Sequence, residues 1–123
     1  MFPPIFTICL AAPAVTAFLG SSPMRMYPAG EAPQTVAKPY VTWQTVYGSP
    51  DNTLGDTAES DTWGAQINVW AADLDTARNV AKAIRNAIEA DQTGYVVAFR
   101  GEDRDPTTKN YSYRFDAEWI TQR

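Results

Sequence analysis

From Tyr111 to Trp119 apolar and polar residues alternate without a break. Tyr111, Tyr113, Phe115, Ala117 and Trp119 share one parity, and Ser112, Arg114, Asp116 and Glu118 share the other. This is the pattern of a strand with one dry face and one wet face, since a one-residue slip would turn every apolar side chain into water. Such a strand needs partners, and the sequence offers three more. Tyr40–Tyr47 (YVTWQTVY) is rich in β-branched and aromatic residues, which suit a pleated, half-buried surface. In Thr62–Ala71, Trp63, Ala65, Ile67 and Val69 alternate with Gly64, Gln66 and Asn68 at a period of two. Tyr95–Arg100 (YVVAFR) reads the same way. The first two are expected to pair as an antiparallel hairpin whose long tip is the polar, turn-rich stretch Gly48–Asp61 (GSPDNTLGDTAESD). Met24–Tyr27 reads as a further brief strand, and Gly101–Asn110 as a polar loop.

Between the second and third of these strands the period changes. Asp73 or Asp75 is placed to cap a helix running to about Ala90. Ala77, Val80, Ala81, Ile84, Ala87 and Ile88 fall on one stripe, with Arg78, Lys82, Arg85 and Glu89 opposite, as for a helix lying on a sheet. Gln92-Thr93-Gly94 closes it. Near the start, Pro3 and Pro4 suit a helix entrance, Ile5–Ala12 reads as a short helix, and Ala14–Leu19 as a second one ending at Gly20. The expected fold is therefore α+β: a mostly antiparallel β-sheet packed against one long helix, with short N-terminal helices, all in one domain over residues 1–123. Its core is expected to hold Ile67, Val69, Val80, Ile84, Ile88, Val97 and Phe115.

Met1–Met24 carries no charge, yet it does not read as a secretory signal, because the first basic residue is Arg25. Pro3, Pro4 and Pro13 interrupt it too often for a membrane span.

The chain is poor in the groups that do chemistry. It has no histidine, so the commonest general base and metal ligand is missing, and a Ser-His-Asp or Cys-His arrangement cannot be built. The one cysteine, Cys9, sits in an apolar run and reads as a small buried hydrophobe. With it as the only thiol, the usual zinc ligand sets are excluded. Asp51-Asn52-Thr53-Leu54-Gly55-Asp56 faintly resembles a calcium loop but lacks the oxygen-ligand spacing and closing Glu. Glu102-Asp103-Arg104-Asp105 reads as an exposed turn and not as a pair of converging carboxylates. Neither a cofactor nor an enzymatic activity is expected.

The net charge of −4 disfavours sequence-specific nucleic-acid binding. It is also unevenly spread. No basic residue lies between Lys38 and Arg78, an interval that contains Asp51, Asp56, Glu59, Asp61, Asp73 and Asp75. Asp51, Asp56, Glu59 and Asp61 at the hairpin tip are accordingly the candidate interface or lumen residues, expected to have no local basic partner. Such a lobe either simply solvates the loop or turns negative charge toward DNA so that it slides past.

A run of short strings carries a resemblance: Met1-Phe2-Pro3-Pro4-Ile5-Phe6, Pro13-Ala14-Val15-Thr16-Ala17, Gly20, Arg25, Tyr27-Pro28, Gly30-Glu31-Ala32-Pro33-Gln34, Pro39-Tyr40, Trp43-Gln44 and Gly48-Ser49-Pro50. With the strand, long helix, strand, strand order that follows, the chain resembles the tail terminator, or tail-completion, proteins of long-tailed bacteriophages over most of its length. The resemblance implies a structural subunit of the virion, assembled in the host cytoplasm. It implies a homo-oligomer, a hexameric ring at the head-proximal end of the tail, that caps the tail tube and offers the joining surface to the head-closure connector. DNA would pass through without sequence-specific binding, and no membrane would be involved. None of the strings is a catalytic motif. Two rival readings remain. One is another head–tail connector or tail tube subunit. The other is a ferredoxin-like or dimeric α+β barrel that binds a small molecule, which would need an apolar pocket between sheet and helix.

Overall fold

The computed structural model describes residues 2–123. Met1, the first residue of the uncharged start, lies outside them. Eight elements follow in order: α1 (Ile5–Leu10), α2 (Pro13–Leu19), β1 (Met26–Pro28), β2 (Tyr40–Pro50), β3 (Ser60–Ala71), α3 (Leu74–Ala90), β4 (Gly94–Arg104) and β5 (Tyr111–Gln122). The strands form one sheet in the order β1-β2-β3-β5-β4. Every pairing is antiparallel except that of β1 with β2. β3 and β4 both run antiparallel to β5, so α3 carries the chain over β5 from one parallel strand to the next.

Sequence chemistry explains the element ends. Pro13 starts α2, where its missing N–H costs nothing, and Gly20 follows the last turn with φ of 77°. Arg25 fastens this corner: its guanidinium donates to the carbonyl of Phe18 at 2.6 Å and to that of Pro39 at 3.0 Å. The first bond puts a cation at the carbonyl end of α2, where the helix dipole favours it. Of the two candidate caps for α3, Asp73 does the work, accepting from the backbone N–H of Thr76 at 2.9 Å.

All three helices cover the same face of the sheet. The interior holds Ala77, Val80, Ile84 and Ile88 of α3 against Ile67 and Val69 of β3 and Phe115 and Trp119 of β5, all fully buried. Ile5 and Cys9 of α1 and Val15 and Leu19 of α2 complete it. The uncharged N-terminal segment thus gives one side of each short helix to the core, while Phe2, Phe6 and Leu10 stay exposed. Burial pushes the Cys9 thiol up to about 12, so it is inert packing. Beside this packing, an open groove of about 470 Å³ remains between α3 and the outer strands, lined by Arg78, Ala81, Lys82, Arg85, Phe99, Glu102 and Tyr113. Among the described residues no helix is long and apolar enough to cross a membrane.

Three expectations need correction. Val97 is not in the core but about half exposed. The register of β4 against β5 shifts between Val96 and Ala98, so Val97 is the extra residue of a β-bulge and loses its place in the alternation. The polar stretches after Tyr47 and after Arg100 are not loops throughout. β2 continues to Pro50 and β4 to Arg104, which shortens the first tip to residues 51–59 and places Glu102, Asp103 and Arg104 on a strand. The brief first strand lies at Met26–Pro28, starting two residues and ending one residue later than expected, because Val41–Trp43 of β2 pairs with it there.

Candidate functional site

The four candidate acids at the hairpin tip play unequal parts. Asp51 closes the neck: its carboxylate accepts from Ser60 Oγ at 2.7 Å and Thr62 Oγ1 at 2.8 Å, and its N–H donates to the Ser60 carbonyl at 2.9 Å. The two hydroxyls hold its carboxyl below the ordinary range. Asp61 belongs to β3 and pairs with Arg123 at 2.9 Å. The expectation that the tip has no basic partner is therefore wrong for Asp61. The partner comes from the end of β5, 62 residues away in sequence, and β3–β5 pairing brings it alongside. The Arg123 N–H also donates to the Glu59 carbonyl at 2.9 Å. Asp56 and Glu59 stay exposed and, among the described residues, make no ion pair. They flank an open groove of about 700 Å³ shared with Thr57, Ala58, Gln122 and Arg123.

The apex itself was missed by the charge argument. Thr53 and Asp56 bridge across a tight turn, and Leu54 within it is fully exposed. It is a single apolar side chain displayed in water at the end of the turn. The sequence signal was available: one leucine amid the polar run Ser49–Asp61.

The second feature is the sheet face that no helix covers. Tyr47 and Tyr95, from β2 and β4, both donate their hydroxyls to the Glu118 carboxylate of β5, Tyr95 at 2.5 Å. The bonds lower the Glu118 pKa and push that of Tyr47 up to about 12. Tyr47 reaches Glu118 across Gly64, and on the other face Trp63 lies over Gly48, where an added Cβ would meet the indole at 2.5 Å. Each glycine leaves room for the aromatic ring opposite it. At the other end of this face Tyr40 stacks on Trp70, whose Nε1 donates to Thr42 Oγ1 at 3.1 Å.

Four further charged groups brace the sheet and its helix. Arg78 makes a two-point bond to Glu102 at 2.6 and 3.0 Å, joining α3 to β4, and Arg100 pairs with Asp116 at 2.6 Å. Among the described residues no three His, Cys, Asp or Glu side chains gather as a metal cage. The geometry is that of a sheet with a displayed turn, two edges and a face that no helix covers, with Asp51, Asp61, Glu102, Asp116 and Glu118 bracing it.

The chain belongs to the tail completion protein gp17 family, whose model matches residues 3–122. It is a structural tail protein of phage-like particles. No curated protein sequence matches it significantly. Among solved structures, a chain from the virion of a native gene transfer agent (GTA) particle superposes with a TM-score of 0.69 at 16% identity, covering 97% of this chain and 92% of that one. At that identity the likeness is one of fold.

Proposed function

We propose that this protein forms a ring that caps the completed tail tube at its head-proximal end and presents the surface to which the head-closure connector joins. Membership of the tail-completion family is the observation that carries the reading. The molecule's own features support it. Two sheet edges stand open, as a ring subunit needs. The hairpin tip displays Leu54 with Asp56 and Glu59 beside it, as a joining element would. A homo-oligomer, a hexamer by family resemblance, would repeat these acids around an axis. DNA would then pass a negatively charged rim without sticking.

The test is to make tails with the gene for this chain deleted and to mix them with purified heads. The account expects tails that do not join, with joining restored when purified protein is added. Normal joining without the protein would overturn it. Labelling the chain in intact particles separates the readings further: label confined to the head–tail junction fits the cap, and label along the tube fits a tube subunit.

A further inference from the structure

We propose that the hairpin tip of one copy seats in the groove between α3 and β4 of a neighbouring copy, with Leu54 against Phe99 and Asp56 toward Lys82 and Arg85. The inference rests on the ring reading above and identifies its contact.

The groove is a basic spot on an acidic chain. The chain carries 14 carboxylates against 10 cations, yet Arg78, Lys82 and Arg85 line this groove with Glu102 as its one acid. The three cations stand at i, i+4 and i+7 of α3 and so form one stripe along the side that faces β4. Arg78 is engaged by Glu102, and that two-point bond fixes helix to strand across the groove. Lys82 and Arg85 have no carboxylate partner among the described residues. Arg85 reaches only the side-chain oxygen of Asn86, the next residue. Facing them from β4, the Phe99 ring is 58% exposed and stands edge-on to Tyr113. Two unpaired cations around an exposed ring fit a short acidic segment that leads with an apolar side chain.

The hairpin tip is such a segment. Leu54 is fully exposed at its apex, and Asp56, two residues on, makes no ion pair among the described residues. The tip is also held in shape before it docks. Thr53 and Asp56 bridge across the turn, and the Asp51 carboxylate closes the neck through Ser60 and Thr62. A preformed segment loses little freedom on binding. Only Leu54 and Asp56 enter the seat. Glu59 lies at the neck with Arg123 and stays in solvent, so the rim keeps its acid.

A tip cannot fill the groove of its own chain. Tyr113 of the groove pairs with Val69, nine residues along β3 from Ser60, where the tip ends. At roughly 3.3 Å per residue that is about 30 Å, and the tip extends away from the groove. Tip and seat are therefore different surfaces at opposite ends of the strands. A contact between them is head-to-tail, the kind that closes into rings.

The experiment is oxidative cross-linking of assembled particles carrying Leu54→Cys together with Phe99→Cys. Native Cys9 is fully buried and stays silent. The expected result is a ladder at multiples of the 13.6 kDa subunit ending at the ring's copy number, with no ladder from either single variant. Particles that hold many copies yet yield only monomer would overturn the seat while leaving the ring reading intact. One copy per particle would defeat both. A ladder from Leu54→Cys alone would put tip against tip and overturn the seat. A charge swap gives a second readout. Asp56→Lys should cut incorporation into particles about tenfold or more, because like charges set face to face repel, and adding Lys82→Glu should restore most of it. Wild-type incorporation of the Asp56→Lys chain would overturn the seat. A loss that Lys82→Glu does not relieve would assign Asp56 to another protein of the particle and overturn it as well.

Discussion

At the scale of single residues, aromatic rings and glycines are matched across the strands. Gly48 stands where a Cβ would sit 2.5 Å from the Trp63 ring, so Gly48→Ala overpacks a braced position. It should cost about 1–3 kcal/mol by urea unfolding. Ile84, fully buried between α3 and the sheet, should cost about 2–5 kcal/mol as Ile84→Ala in the same measurement. Glu118 gives a pH prediction. Its pKa is lowered in the fold from the ordinary 4.5 by the Tyr47 and Tyr95 hydroxyls. The stabilisation is thus fully present above 4.5 and is lost as pH falls through the lower, folded value. Tyr47 works the other way: raised from 10 to about 12, its contribution is present below 10 and is lost as pH rises through about 12. Urea midpoints measured from neutral pH downward should fall less steeply for Glu118→Gln than for the wild-type chain. Equal slopes would show that the tyrosine bonds carry no charge-dependent stability. The residues behind the family resemblance also have physical roles here: Pro13 opens α2, Gly20 closes it, Arg25 ties its end to Pro39, and Gly48 makes room for Trp63.

At the scale of elements, the sequence was clearest where a side chain's surroundings repeat regularly. The α3 stripe, its Asp73 cap and the β5 alternation could be read because burial on one side imposes a period of 3.6 or 2. The outer half of β2 and the end of β4 could not. Gly48-Ser49-Pro50 and Glu102-Asp103-Arg104 are strand because β3 and β5 offer them backbone partners, and that information lies outside the segments. Val97 was misplaced for a related reason, since a bulge changes parity without leaving a compositional mark. The candidate site was legible only in part. Its acids are where charge clustering put them, but Arg123 reaches Asp61 only through the fold, and Leu54 carries no charge. Replacing all four acids would therefore confuse two effects, because Asp51 holds the neck. Asp56→Asn with Glu59→Gln and, separately, Leu54→Ser should leave stability within about 0.5 kcal/mol of the parent. If the tip is a joining element, Leu54→Ser lowers head–tail joining in a mixing assay. Unchanged joining in both variants would remove the tip from the contact.

At the scale of the whole molecule, a structural tail protein acts through its surfaces. One face of the sheet is committed to the core, while the other, both edges and the hairpin tip remain available. Reversible ring formation fits such a design. A subunit is expected to stay monomeric until the tube end gathers several copies. The central claim is the ring at the head-proximal end of the tail. A reconstruction of the head–tail junction in intact particles tests it most directly. The account predicts a single closed ring of this chain, stacked between the last tube ring and the connector. A single copy at the junction, or copies repeated along the tube, would contradict it.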